Sequence, residues 1–169
     1  MTELFRELPR DTGGRELVAR RVAMCVLAGL LVLALLNVFG QAPTTSRAAA
    51  PSATLALDAP TTARGGLLLQ GRIRVVATRA VEDPQLVLAR GWFEGMQVNT
   101  IEPAATDEAP AQGSRVALTY GRLEPGDAMT VWVQTQVDPN DPGKRPLDVE
   151  LRDGGRPIAA IHRDITVLP

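Results

Sequence analysis

Polar and apolar positions follow two different patterns along these 169 residues, and the change between them divides the chain. From Val22 to Gly40 runs a stretch of nineteen residues without a charge, opened by Arg20 and Arg21 and interrupted only by Asn37. Wound as a helix at about 1.5 Å per residue it is roughly 28 Å long, close to the hydrocarbon thickness of a bilayer. From about Thr54 the period changes to two, with turn residues every eight to twelve positions. Leu55 and Leu57 open this part, Leu67, Leu69, Ile73 and Val75 follow Gly65-Gly66, and Gly71 reads as a bulge. Leu86 and Leu88, Met96 and Val98, then Val116, Leu118 and Tyr120 continue the alternation. Met129, Val131 and Val133 follow the Pro125-Gly126 turn, and Leu147, Val149 and Leu151 lead to Asp153-Gly154-Gly155, a hairpin signal, before Ile158 to Leu168 returns. Alternating faces of this kind bury themselves best against a second sheet. The expected fold is all-β, an immunoglobulin-like antiparallel β-sandwich of seven or eight strands preceded by one transmembrane α-helix.

Four segments follow: a cytoplasmic tail over 1–21, the transmembrane helix over 22–40, an Ala/Pro/Thr-rich linker over 41–53 and an extracytoplasmic β-sandwich over 54–169. The linker reads as an extended spacer that buries nothing. In the tail, Leu4, Phe5 and Leu8 share one helical face before Pro9, and Asp11-Thr12-Gly13-Gly14 breaks the pattern. Basic residues set the orientation, because Lys and Arg are retained on the cytoplasmic side. Arg6, Arg10, Arg15, Arg20 and Arg21 precede the span and only Arg47 follows closely, which places the N-terminus inside and the β-domain outside a plasma membrane. The competing reading is a cleaved signal peptide, against which stands a long n-region containing Glu3, Glu7, Asp11 and Glu16.

Eighteen basic and nineteen acidic residues leave a formal charge of −1, so no electrostatic footprint for nucleic acid is present. The single cysteine, Cys25, lies in the apolar run, so the β-domain holds together through its core without disulfides. His162 is the only histidine; without thiolate or histidine partners in the β-domain it supports no zinc or copper site and reads as a strand residue at the sheet surface. Ser46, Ser52 and Ser114 stand in linker or turn contexts without a nucleophile elbow. Asp107-Glu108 and Glu82-Asp83 read as solvated loop charges. No catalytic residue, cofactor or metal site is expected, and the chain reads as a non-enzyme.

Two motifs remain. Asp138 and Asn140 fit the first and third positions of a calcium loop, but Pro142 occupies the fifth and no Glu follows at the twelfth. The other reading of 138–143 is a Pro-fixed turn in which Asp and Asn cap their own backbone. Gly91-Trp92-Phe93-Glu94-Gly95-Met96 sets two large aromatics between glycines. Three readings stay open for it: a plug closing the end of the sandwich, a protein contact, or an anchor at the lipid interface. Trp132 alternates out of phase with Val131 and Val133 and is half exposed or part of a partner surface. The candidate contact residues are therefore Trp92, Phe93, Met96 and Trp132, and the candidate anchor residues are Arg20, Arg21 and Asn37.

The run from Tyr120 through Gly121-Arg-Leu-Glu-Pro-Gly126 to Val133, continuing to Gly143 and closing with Ile165-Thr-Val-Leu168, resembles the immunoglobulin-like modules repeated in bacterial cell-surface proteins. The layout, with Gly91 to Met96, Asn99-Thr100 and Asp148-Val149-Glu150-Leu151, is also similar to single-pass membrane proteins of actinobacteria. The resemblance implies an extracytoplasmic scaffold or contact module and supplies no catalytic residue. The expected function is an accessory or interaction module for another membrane or envelope protein; the alternative is a binding or sensory module for a glycan, cell-wall fragment or other small ligand.

Overall fold

Strand pairing beyond the helix follows the period-two pattern closely. The computed structural model describes residues 12–35 and 42–169. The chain divides into two units, Met1–Gly40 and Gln41–Pro169. In the first, helix α1 spans Thr12–Leu35, and its segment Glu16–Leu35 is long and apolar enough to cross a membrane. The helix begins ten residues earlier than the apolar run and passes through Gly13-Gly14, where the sequence suggested a break. Each Gly costs a helix about 1 kcal/mol, but extension from an established helix adds a bond per residue while nucleation alone is costly, so the turn continues outward. Arg20 and Arg21 stand exposed on it. Asn37, the tail face of Leu4, Phe5 and Leu8, and the end of the run at Gly40 lie outside the described residues.

The second unit is an antiparallel β-domain of thirteen strands in three sheets. A five-stranded sheet is built from β1 (Pro43–Ala49), β2 (Ala53–Pro60), β4 (Leu68–Ala77), β9 (Ala128–Val137) and β6 (Met96–Glu102), in that order. A second five-stranded sheet has the order β12 (Arg156–Ile161), β11 (Val149–Asp153), β5 (Pro84–Leu88), β8 (Arg115–Thr119) and β7 (Asp107–Ala111). The third joins β10 (Gly143–Pro146), β13 (Asp164–Leu168) and β3 (Thr62–Arg64), with β13 and β3 parallel. One hydrophobic core lies between them. Leu55, Leu57, Ile73, Val75, Val131 and Val133 face it from the first sheet, and Leu86, Leu88, Leu118, Val149 and Leu151 from the second. The sandwich expected from the alternation is thus present, with more strands than the seven or eight expected. The surplus comes from short pieces such as β3, β7 and β10, too brief to carry an alternating signature and defined by the neighbours that accept their hydrogen bonds.

Residues 43–49, read from composition as a spacer, form β1. All seven pair antiparallel with β2, from Pro43 opposite Pro60 to Ala49 opposite Thr54. Thr and Ala are compatible with an edge strand, and what recruits them is the open hydrogen-bonding edge of β2, which composition does not display. The turns fall where Gly and Pro marked them: Gly154 and Gly155 both take positive φ in the two-residue connection of β11 to β12, and Gly126 does so before β9. Gly71 is no bulge, since the β4–β9 ladder runs through it in register.

Candidate functional site

The outer face of the first sheet carries a transverse ladder. Because Leu57, Ile73, Val131 and Val133 turn inward, their neighbours Asp58, Arg72 and Trp132 turn outward, and strand register sets them side by side. Thr45 on β1 stands opposite Asp58, Asp58 opposite Arg72, Arg72 opposite Trp132, and Trp132 opposite Glu102 on β6. The Thr45 hydroxyl donates to Asp58 Oδ1, and Arg72 donates to Asp58 Oδ2 through Nη2 and through Nε at 2.8 Å. The Arg72 guanidinium lies over the Trp132 ring, 5.4 Å from its centroid. The Thr45 hydrogen bond, followed by the bond and charge of Arg72, holds the Asp58 carboxyl below its usual range despite some desolvation. Arg47 and Arg74 share this face, so three arginines stand against Asp58 and Glu102. Trp132 keeps 38% of its surface in solvent.

Chemically the ladder presents a fixed guanidinium and an aromatic body side by side, with no nucleophile among them. Asp58 restricts the Arg72 side chain, and Trp and Arg are the residue types that dominate binding energetics at protein contacts generally.

The other sequence-derived contact residues go elsewhere. Trp92, in a 3-10 turn over Arg90–Trp92, is fully buried and belongs to the core, so of the three readings of its loop the interior plug is the observed one. Its six-membered ring lies against Gly71 of β4, where a Cβ would overlap Cη2 and Cζ3. Met96 is buried as well, its sulfur accepting from the Thr135 hydroxyl at 3.4 Å, and Phe93 is partly buried against the core. The glycines around the pair have local duties: a Cβ at Gly91 would strike the Pro146 carbonyl, and Gly95 takes φ +62 beside the Arg145 guanidinium.

Arg145, which the sequence did not single out, organises this end of the sandwich. Nearly buried, it donates from Nη1 to the Glu94 and Gly95 carbonyls at 2.7 and 3.0 Å and from Nη2 to the Asp141 carbonyl, and pairs with Asp141 Oδ2 at 2.8 Å. A protein cation thus sits against the loop weighed for calcium. Asp138 Oδ1 accepts from the Asn140 backbone N–H at 2.8 Å, the self-capping turn that was the other reading of this segment. A depression of about 410 Å³ between Met96, Gln97, Gln136 and Pro139 lies at the end of the sheet. His162 is exposed in the β12–β13 connection rather than on a strand, with Nδ1 3.5 Å from Asp148. Ser114 takes a positive φ in the β7–β8 turn, and Glu82 pairs with Arg122.

No family model matches the chain, and no curated protein does. Among solved structures it is similar to the CARDB domain of the PF1109 protein from Pyrococcus furiosus, described in complex with di-metal ions. Identity is 8%, the similarity covers 75% of this chain and 89% of that one, and the TM-score is 0.42. No residue or role is carried over from it; the fold described above rests on this chain's own strand pairing.

Proposed function

We propose that this chain is a non-enzymatic, single-pass envelope protein whose β-domain is an interaction module for a partner membrane or surface protein. On this reading residues 1–21 are cytoplasmic, the apolar helix is a retained anchor, and the domain lies outside. The carrying observation is the Asp58–Arg72–Trp132 ladder: a solvent-facing Trp and an Arg held ready by an acid, on a sheet whose interior is otherwise closed. The excess of arginines before the span supports the orientation.

The test is crosslinking and affinity capture of the full chain from its native membrane in mild detergent, beside Trp132→Ala and Arg72→Ala. A stoichiometric partner held by the unmodified chain and lost from both variants, with melting temperatures little changed, is the expected result. Equal capture by the variants would remove the ladder from the interface. Enrichment of the protein on cell-wall glycan in place of a protein partner would replace this reading by a ligand-binding module. In a Cys25→Ser background, Gln112→Cys should react with an impermeant thiol reagent on intact cells, and protection would reverse the orientation.

A further inference from the structure

Large apolar side chains left in water outside the helix are few. Among the described residues of the β-domain they are Leu67, Leu68, Val98, Trp132 and Leu168. Three of the five gather at one turn. Leu168 pairs in register with Arg64, its carbonyl accepts from Gly65 N–H at 2.9 Å, and the Leu67 N–H closes the turn onto the Arg64 carbonyl at 3.2 Å. Leu67, Leu68 and Leu168 are 49%, 61% and 41% exposed. Gly66 and Leu67 bond Val137 in both directions, so the turn is clamped to the end of β9 and its leucines are presented on fixed backbone.

That turn stands at a particular end of the first sheet. β1 starts there at Pro43, opposite Pro60 at the finish of β2; β4 starts there at Leu68, and β9 finishes there at Val137. It is the end at which the chain arrives in the domain, with Pro43 eight residues beyond Leu35, the last described residue of the apolar helix. Arg163 fastens the arriving strand: its Nη1 donates to the Thr44 carbonyl at 2.9 Å and its Nη2 to the Ala59 carbonyl at 2.8 Å. The opposite end of the sheet, where Arg79, Glu124 and Asp127 lie exposed, is charged. Near the leucines, Arg64 is exposed, Asp138 is turned to its own backbone and Asp141 to Arg145.

We propose that the Leu67, Leu68 and Leu168 turn is a lipid-contact tip, by which the β-domain rests on the surface of the bilayer that holds its helix. This rests on the reading of that helix as a retained anchor. Exposed leucines beside an arginine suit the boundary between acyl chains and phosphate headgroups, and attachment through a short connection keeps that boundary within reach whenever the domain tilts. Contact at this end leaves the outer sheet face, with Trp132 and Arg72, open sideways to a neighbour in the same membrane.

The test uses the full chain in a Cys25→Ser background, reconstituted in phosphatidylcholine/phosphatidylglycerol vesicles that carry shallow doxyl-labelled lipid. An environment-sensitive fluorophore is placed through Leu67→Cys or, as control, through Arg79→Cys at the opposite end. Quenching at 67 and none at 79, with loss of the quenching when Leu68→Ser and Leu168→Ser are added, is expected; an unchanged melting transition shows that the added variants fold. Retention of the protein in the vesicles through alkaline carbonate, with a label at 67 that lipid does not quench, overturns the lipid contact and leaves the anchor intact. A label at 67 that is shielded from water yet unquenched assigns the turn to a protein contact and also overturns it. Release of the protein by carbonate overturns both the anchor and the contact built on it.

Discussion

Gly71 and Trp92 form a pair that neither position announces alone. The ring needs the missing side chain, and an alanine at 71 must push Cη2 and Cζ3 in a closed core. Overpacking of this kind costs about 1–3 kcal/mol. Gly71→Ala should lower stability by that order in denaturant unfolding, whereas in a Trp92→Phe background, which lacks the two overlapping atoms, its effect should shrink. Additive losses would disprove the contact. Tyr120 offers a second test. Its hydroxyl is buried without a protein partner among the described residues, and burial, followed by the charge of Glu108, raises its pKa from 10.0 to about 12. The unfolded chain then ionises near pH 10 while the folded one keeps its proton, so stability present below pH 10 falls as the pH rises toward 12. Tyr120→Phe should abolish that alkaline loss and leave neutral-pH stability unchanged or higher, since no hydrogen bond within the described chain is given up.

Among the elements, the two whose places depend most on distant residues are β1 and the 138–143 loop. β1 is an edge strand of Pro, Thr, Ser, Arg and Ala, held by β2 on one side and by Arg163 reaching Thr44. Arg163→Ala should raise amide hydrogen exchange in 44–49 while the β4–β9 ladder keeps its protection; uniform exchange across the sheet would show that Arg163 does not fasten the strand. Arg145→Met should release both the 90–95 turn and the 138–143 loop, because the Glu94, Gly95 and Asp141 carbonyls lose their donor together. A loss of about 1–2 kcal/mol is expected for unpairing these part-buried acceptors, read as a lower urea midpoint. The alternation of β2, β4, β9 and β11 was legible because each buries one face. β1, β7 and β10 were not, because short or edge strands are defined by who accepts their hydrogen bonds.

At the scale of the whole β-domain, two carboxylates on different sheets contribute to acid stability. Asp58 is lowered from 3.8 by Thr45 and then Arg72, and Glu150 from 4.5 chiefly by Arg152, with Arg115 adding its charge. Both groups bind protons more weakly folded than unfolded, so their contributions are complete above the ordinary values and are lost as the pH falls below 4.5 for Glu150 and 3.8 for Asp58, through the depressed folded pKa values. Thermal melts should therefore be flat from neutrality to about pH 5 and fall below that. Asp58→Asn and Glu150→Gln together should flatten the acid limb, and an undiminished slope would place the linkage elsewhere.

Chain order and side-chain chemistry alone determined an apolar helix ahead of a cysteine-free β-domain, the inward phase of Leu55, Leu57, Ile73, Val131 and Leu151, and the turns at Gly126 and Gly154-Gly155. These are local properties, set by hydropathy period and by backbone freedom at single residues. Tertiary structure decided that Trp92 is core and Trp132 surface, that Arg72 and Asp58 meet beside Trp132, that Arg145 occupies the loop weighed for calcium, and that 43–49 is a strand. Each of these depends on register between segments tens of residues apart, and a shift of one residue would turn every side chain of a strand to the other face.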